Sequence, residues 1–340
     1  MNETPPSPEE FVEDEEQKDT IRRLTRQLAK AKSKTEDLVD AVYRGTRDSW
    51  IVEKAIATPR PERLDKRRNK AAEVALWHMT DWQGAKLTTS YNSEIMIERV
   101  HRFVDKAQQI TEIQRTDHPV RAAVLLFGGD VVEGLWNFST QPFEIDATIF
   151  RQWTTVSRLL TDVVRRALGI YEQVTVVAEW GNHGRMGSKR DAVPRSDNID
   201  RMCYEVARMA LAHETRLHWE DCPEDIQRVE IGNYRALSIH GDEVGRSGFA
   251  SAPTMIQHVN RWRSGAYPWA FTDCYIGHYH RHAEEPLADG IGAVYWTGST
   301  ESDNRYAGVT MAASATPTQR LHFINPEAGH VTSQHKIRLA

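Results

Sequence analysis

Between residues 74 and 300 the chain repeats one local pattern: a short apolar run of strand character, followed at once by side chains that bind metals. Residues 74–78 lead into Thr80-Asp81-Trp82-Gln83, residues 122–127 into Gly128-Gly129-Asp130, and residues 174–178 into Gly181-Asn182-His183. Residues 234–239 end in Ile239-His240-Gly241-Asp242, and residues 274–276 run into Gly277-His278-Tyr279-His280. Helix-favouring segments at 94–115, 149–168 and 198–212 separate the runs; the second is amphipathic, with Trp153, Val156, Leu159, Leu160, Val163 and Val164. Further strands are expected at 293–297 and 321–324. Strands alternating with helices predict an α/β domain with a sheet core. The unbroken apolar run at 122–127 predicts a strand buried on both faces. In such sheets, sites gather at the carboxyl ends of strands.

Taken singly, a Gly-Asp after a strand is more often a turn, and a strand-end histidine more often packs or faces solvent. Five such segments in order, each of the right residue type, are hard to ascribe to separate accidents. Asp, Asn, Gln and His on strand-end loops can hold two divalent ions next to each other, which makes a hydrolytic phosphoester site the leading reading. Two ions bring four positive charges, of which Asp81 and Asp130 cancel two. The surplus favours a hydroxide and an anionic phosphate ester.

The 340 residues, 40% hydrophobic and 27% charged, suit one large soluble domain or two small ones. No apolar run approaches the roughly 20 residues of a membrane span, and the N-terminus lacks the apolar core of a secretion signal. Cys203, Cys222 and Cys274 are scattered without CxxC spacing, which fits a reducing compartment. A cytoplasmic protein without membrane contact is therefore expected. The net charge of −5 means that any nucleic-acid contact needs a local basic patch.

Pro5, Pro6 and Pro8 predict disorder over residues 1–8. Over 9–58, Ile21, Leu24, Leu28, Ala31, Leu38 and Val42 recur in steps of three and four, with Thr35 in the remaining apolar slot. That spacing fits a short coiled coil, by which the protein would self-associate or recruit a partner, or a single amphipathic helix folded back on the main domain. Residues 59–71 are basic and open with prolines, as a linker would. The main domain is expected over 72–340.

The ordered motifs resemble those of the calcineurin-like metallophosphoesterases: D-x-H, G-D, G-N-H, a later H, and G-H-x-H. Four of the five match closely and the first in part, over roughly residues 74–300. The resemblance implies two packed mixed β-sheets flanked by helices, a four-layer sandwich, with the N-terminal helical arm added to it. It implies that Asp130 bridges two metals, that Asp81, Gln83 and His280 complete one ligand set, and that Asn182, His240 and His278 complete the other. His183 would bind no metal but donate a proton to the leaving group, a task suited to a pKa near 6.5.

Two positions depart from the pattern. Gln83 stands where the family carries His; a harder amide oxygen tilts the site toward Mn²⁺, with Mg²⁺ or Fe²⁺ as alternatives, unless Gln83 does not ligate. Gly184-Arg185 follows His183 where many relatives carry Asp, so any orienting of His183 must come from elsewhere.

Arg185, Lys189 and Arg190, with Arg195 beyond, could grip phosphates beside the scissile bond, or form a solvated basic loop. Trp82, Trp136 and Trp180 could stack on bases, or serve as core. Gly298-Ser299-Thr300 could contact substrate, or be a plain turn. Gly128-Gly129-Asp130-Val131-Val132-Glu133-Gly134 is similar to the DNA-repair exonuclease branch, and the helical arm to phage-encoded members. Little sequence follows the last motif, so the C-terminal DNA-capping domain of those nucleases is expected to be absent. A DNA nuclease is thus the first hypothesis, a phosphomonoesterase or small-molecule phosphodiesterase the second, and a metal-binding scaffold the third. Retention of His183 speaks against the scaffold.

Overall fold

The computed structural model describes residues 56–62, 67, 71–137, 141–187, 194–221, 225–244, 250–303 and 316–340. The disordered terminus expected at 1–8, nearly all of the arm expected at 9–58, most of the linker, Cys222, Lys189 and Arg190 lie outside the described residues. Residues 56–59 already belong to the main unit. His213 and Arg165 bond the carbonyls of Ile56 and Ala57, and Arg216 that of Pro59.

Among the described residues eleven strands form two sheets. In chain order they are β1 (Glu73–Met79), β2 (Val120–Gly128), β3 (Gln173–Glu179), β4 (Leu217–Trp219), β5 (Gln227–Ile231), β6 (Tyr234–Ile239), β7 (Asp273–Ile276), β8 (Ala283–Pro286), β9 (Ala293–Trp296), β10 (Thr318–Asn325) and β11 (His330–Arg338). One sheet runs β11-β10-β1-β2-β3-β4 and the other β5-β6-β7-β9-β8. Each is mixed. β1, β2 and β3 are parallel to one another, as are β6, β7 and β9. Among the described residues four α-helices accompany them: α1 (Ser93–Gln114), α2 (Ile149–Ile170), α3 (Ile199–Ala210) and α4 (Ala252–Arg261).

Side-chain alternation explains the layering. Leu76, Val124, Leu126 and Val177 of the first sheet meet Val229, Tyr234, Ala236, Tyr275 and Tyr295 of the second in one buried cluster. The opposite face of the second sheet, with Leu237, Ile239, Cys274 and Val294, is covered by Met255 and Val259 of α4. On the far side of the first sheet Trp77 meets Phe103 of α1 edge-on, with centroids 5.6 Å apart. The result is helix, sheet, sheet, helix, the four-layer arrangement expected.

Local signals start the helices. Asn92, Thr148, Asn198 and Ser251 each accept a backbone N–H of the first turn of α1, α2, α3 and α4. The apolar positions anticipated on α2 are all buried. Cys203 and Cys274 are free and buried, and among the described residues no helix is long and apolar enough to cross a membrane.

The inter-sheet cluster predicts a measurable cost. Leu126 is fully buried there, so Leu126→Ala should lower unfolding free energy by about 2–5 kcal/mol in urea titration. A loss under about 1 kcal/mol would contradict the packing described.

Candidate metal centre

The two parallel triplets bring their carboxyl ends to one place. Asp81 follows β1, Asp130 follows β2, Asn182 and His183 follow β3, His240 follows β6, and His278 and His280 follow β7. The loops are laced by backbone bonds. Asp81 N–H donates to the Gly129 carbonyl at 3.0 Å, Gln83 N–H to Asp130 at 2.9 Å, and Gly277 N–H to His240 at 3.0 Å. Ser299 and Thr300, which follow β9, donate to the carbonyls of Asp81 and Trp82.

Backbone strain marks the same residues. Among the described residues seven non-glycine residues have positive φ, and five of them are Asp81, Gln83, Asp130, His278 and His280, at 49–62°. Such conformations cost free energy and persist where surrounding structure enforces them, commonly at functional sites.

The side chains fall into two groups joined by Asp130. In one, Gln83 Nε2 lies 3.3 Å from Asp130 Oδ2 and 3.4 Å from His280 Nε2, and His280 Nε2 lies 3.3 Å from Asp81 Oδ1. In the other, His240 Nε2 lies 3.0 Å from Asp130 Oδ2 and 3.2 Å from Asn182 Oδ1. One ligand atom each from Asp130, His240 and His278 falls within 4.8 Å of the others. The structure thus gathers Asp81, Gln83, Asp130, Asn182, His240, His278 and His280.

This donor set fits divalent cations. His240 uses Nδ1 on the Gly128 carbonyl at 2.8 Å, and His280 uses Nδ1 on Glu301 Oε2 at 3.0 Å. A histidine fixed through Nδ1 presents Nε2, the usual outer support of a metal-bound imidazole. Each Nε2 then faces carboxylate or amide oxygen, so acceptors converge on acceptors and need a proton or a cation between them. The Gln83 oxygen is buried with no hydrogen-bond partner. Turning that amide would bring oxygen to the point shared by Asp130 and His280.

The titration behaviour has the same origin. Burial alone would lower His240 and His280, but Asp130 raises His240, and Asp81 with Glu301 raises His280 to about 10. His278, pressed by burial and by the neighbouring His240, falls to about 3. Asp130 is held below the usual carboxylate range: burial opposes this, and the charges of His240 and His183 prevail. Protons here take the places that cations would fill.

His183 stands beside the groups rather than in them. Its Nε2 is 3.9 Å from Asp130 Oδ2, while Nδ1 lies 3.0 Å from the Glu133 carbonyl and 3.1 Å from Glu133 Oε2. The carbonyl takes the hydrogen bond and the carboxylate acts mainly through charge. Burial opposes protonation of His183, yet Glu133 and Asp130 raise it to about 9. Glu133 is itself fully buried, its other oxygen 3.2 Å from Lys86 Nζ. Glu133 therefore orients His183 through its carbonyl and adds the charge of its carboxylate. Glu133 and Glu301 were missed as partners of His183 and His280. Their only signals are position: three residues after Asp130, and next to Gly298-Ser299-Thr300.

For the remaining candidate side chains the structure favours one of the two alternatives. Arg185 is paired with Asp242 at 2.6 Å, and Arg195 with Asp242 at 2.8 Å and Glu243 at 2.5 Å. These ion pairs tie both arginines to the loop that follows His240. Trp82 and Trp180 are buried at 0% and 2% exposure, which leaves them no surface for base stacking, whereas Trp136 is 37% exposed. Ser299 and Thr300 are buried and spend their hydroxyls on the protein.

No family model and no curated protein matches the sequence. Among solved structures, the zinc complex of Vps29 from Entamoeba histolytica is similar at 11% identity and a TM-score of 0.34, covering 78% of this chain and 99% of that one. A predicted phosphoesterase from Streptococcus pneumoniae gives 10% identity and a TM-score of 0.30, covering 79% and 99%. The sulfate thiohydrolase SoxB of Thermus thermophilus gives 8% and 0.37, covering 80% and 58%. Likeness at this level assigns this chain neither ligand nor reaction.

Because His240 and His280 hold protons that cations must displace, Mn²⁺ affinity should fall as pH drops from roughly 9 to 6, with about two protons released on binding. Calorimetry in buffers of different ionisation enthalpy measures this. Affinity independent of pH would contradict it.

Proposed function

We propose that this chain is a metal-dependent phosphoesterase that hydrolyses phosphodiester bonds, with DNA as its substrate. The observation that carries the reading is the pair of donor groups sharing Asp130. Asp81, Gln83, Asp130 and His280 would hold one divalent ion, and Asp130, Asn182, His240 and His278 the other. Two such ions supply an activated water and positive charge for the in-line transition state. The neutral Gln83 amide, as a hard oxygen donor, favours Mn²⁺ over Zn²⁺.

The protein's own part is proton control and orientation. His183, charged through its pairing with Glu133 and Asp130, faces the cluster with Nε2 and gives that proton to the departing alkoxide. The Glu133 carbonyl holds the ring by Nδ1 at 3.0 Å, with the carboxylate 3.1 Å away. Lys86, between Glu133 at 3.2 Å and Glu144 at 2.7 Å, compensates the buried carboxylate.

The preference for a nucleic acid rests on the rim. Trp136 and Phe143, 37% and 85% exposed, flank the segment whose Asn137 donates to the Asn182 carbonyl and whose Gln141 lies 3.3 Å from His183 Nδ1. Flat exposed rings beside a phosphodiester site suit unpaired bases. The pairing of Arg185 and Arg195 with acids favours the other reading, a small phosphoester that needs no basic groove.

Purified protein with Mn²⁺ should cleave single-stranded DNA and a chromogenic phosphodiester faster than a chromogenic monoester. Cleavage of the monoester alone would overturn the nuclease reading. Asp130→Ala should lose nearly all activity and one or both ions; wild-type turnover would refute its bridging role. His183→Ala should keep both ions while kcat falls about 10²-fold or more; loss of ions there would mean its role is wrong.

A further inference from the structure

Asp200 lies in the first turn of α3 and is fully buried. An acid at that position usually serves its own helix, accepting first-turn N–H groups. Here Asn198 does that, taking the Asp200 N–H at 2.8 Å. The Asp200 carboxylate turns instead to the metal loops. Oδ2 accepts the backbone N–H of Asp130 at 2.8 Å and that of Gly181 at 2.8 Å, and Oδ1 accepts that of Val132 at 3.3 Å. Asn198 completes the grip by donating Nδ2 to the Gly181 carbonyl at 2.8 Å. Both halves of Gly181 are thus tied to α3, and so is the N–H of the shared carboxylate residue.

The glycines around this contact show how close it is. A Cβ on Gly181 would lie 2.0 Å from Asp130 Oδ1 and 2.4 Å from Asp130 N. A Cβ on Gly184 would lie 2.2 Å from Asn198 Oδ1 and 3.0 Å from Asp200 Cγ. Gly184 therefore makes room for the Asn198–Asp200 pair. Burying a carboxylate without a cation of its own is costly; three backbone donors from two metal motifs offset part of that cost, while burial and the charge of Asp130 still raise Asp200 to about 7.

We infer that Asp200, seated by Asn198, is a positioning residue that fixes the separation of the Asp130 and Asn182 loops and so lets one carboxylate reach both donor groups. This rests on the dinuclear reading of the site. The Asp200 carboxylate is taken up by backbone N–H groups, and its contribution is the register between the ends of β2 and β3. Supports of this kind are worth about 10–100-fold in metal affinity.

The test is Mn²⁺ titration of the full chain, with wild type compared with Asp200→Ala and Asp200→Asn. It is followed by bound-ion count, the exchange-coupled Mn²⁺–Mn²⁺ resonance and far-ultraviolet circular dichroism. Wild type should bind two ions with a coupled signal. Asp200→Ala should hold its helix content yet bind the second ion about 10–100-fold more weakly, with the coupled signal gone. Asp200→Asn keeps an oxygen for the Asp130 and Gly181 N–H groups and should retain the pair with a smaller loss. If the alanine variant does not fold, Asp200→Asn decides: second-ion binding weakened by about threefold or more with unchanged helix content supports the inference, and wild-type binding overturns it. A wild-type ion pair in Asp200→Ala overturns the inference alone. A wild-type protein that never pairs two ions overturns the dinuclear reading and this inference together.

Discussion

The buried carboxylate of Asp130 is the constraint around which the molecule is arranged. It is 1% exposed, and an isolated charge in such a place would be severely destabilising. Every neighbouring loop contributes to holding it. Gln83 N–H reaches its carbonyl, His183 N–H its Oδ1, Asp200 its own N–H, and His240 its Oδ2. Loops from β1, β2, β3 and β6 therefore have one correct position relative to one another, and positive φ at five candidate ligands is the strain that this convergence leaves.

The sandwich makes such convergence possible. A parallel triplet at the middle of each sheet points its carboxyl ends the same way, and the inter-sheet cluster of Leu126, Tyr234 and Tyr275 fixes the two triplets against each other. One sheet brings Asp81, Asp130 and Asn182, the other His240, His278 and His280. Acidic and amide candidate ligands arrive from one side and imidazoles from the other. Neither sheet alone carries a complete donor group.

How much of this the amino-acid order reveals depends on where a strand sits. The central strands carry apolar runs, unbroken in β2 and interrupted by Arg235 and Ser238 in β6 and by His322 in β10, and β1, β2, β3, β6, β7, β9 and β10 are all visible from them. The four strands that escape notice, β4, β5, β8 and β11, are the four sheet edges. An edge strand is half solvated, so Ala283–Pro286 reads Ala-Glu-Glu-Pro and His330–Arg338 alternates in exposure. Residues that would touch an ion announce themselves by type and by place after a strand. Their supports do not, because Glu133, Glu301 and Asp200 are ordinary acids until folding buries them. Arg185 shows the reverse. A cation on a glycine-containing loop suggests a phosphate grip, and only the fold reveals that Asp242 already occupies it.

Anomalous diffraction from crystals soaked in Mn²⁺ tests the central claim most directly. Two anomalous peaks about 3.5–4 Å apart, with the Asp130 carboxylate between them, are expected. A single peak, or two peaks that do not share Asp130, would contradict the account.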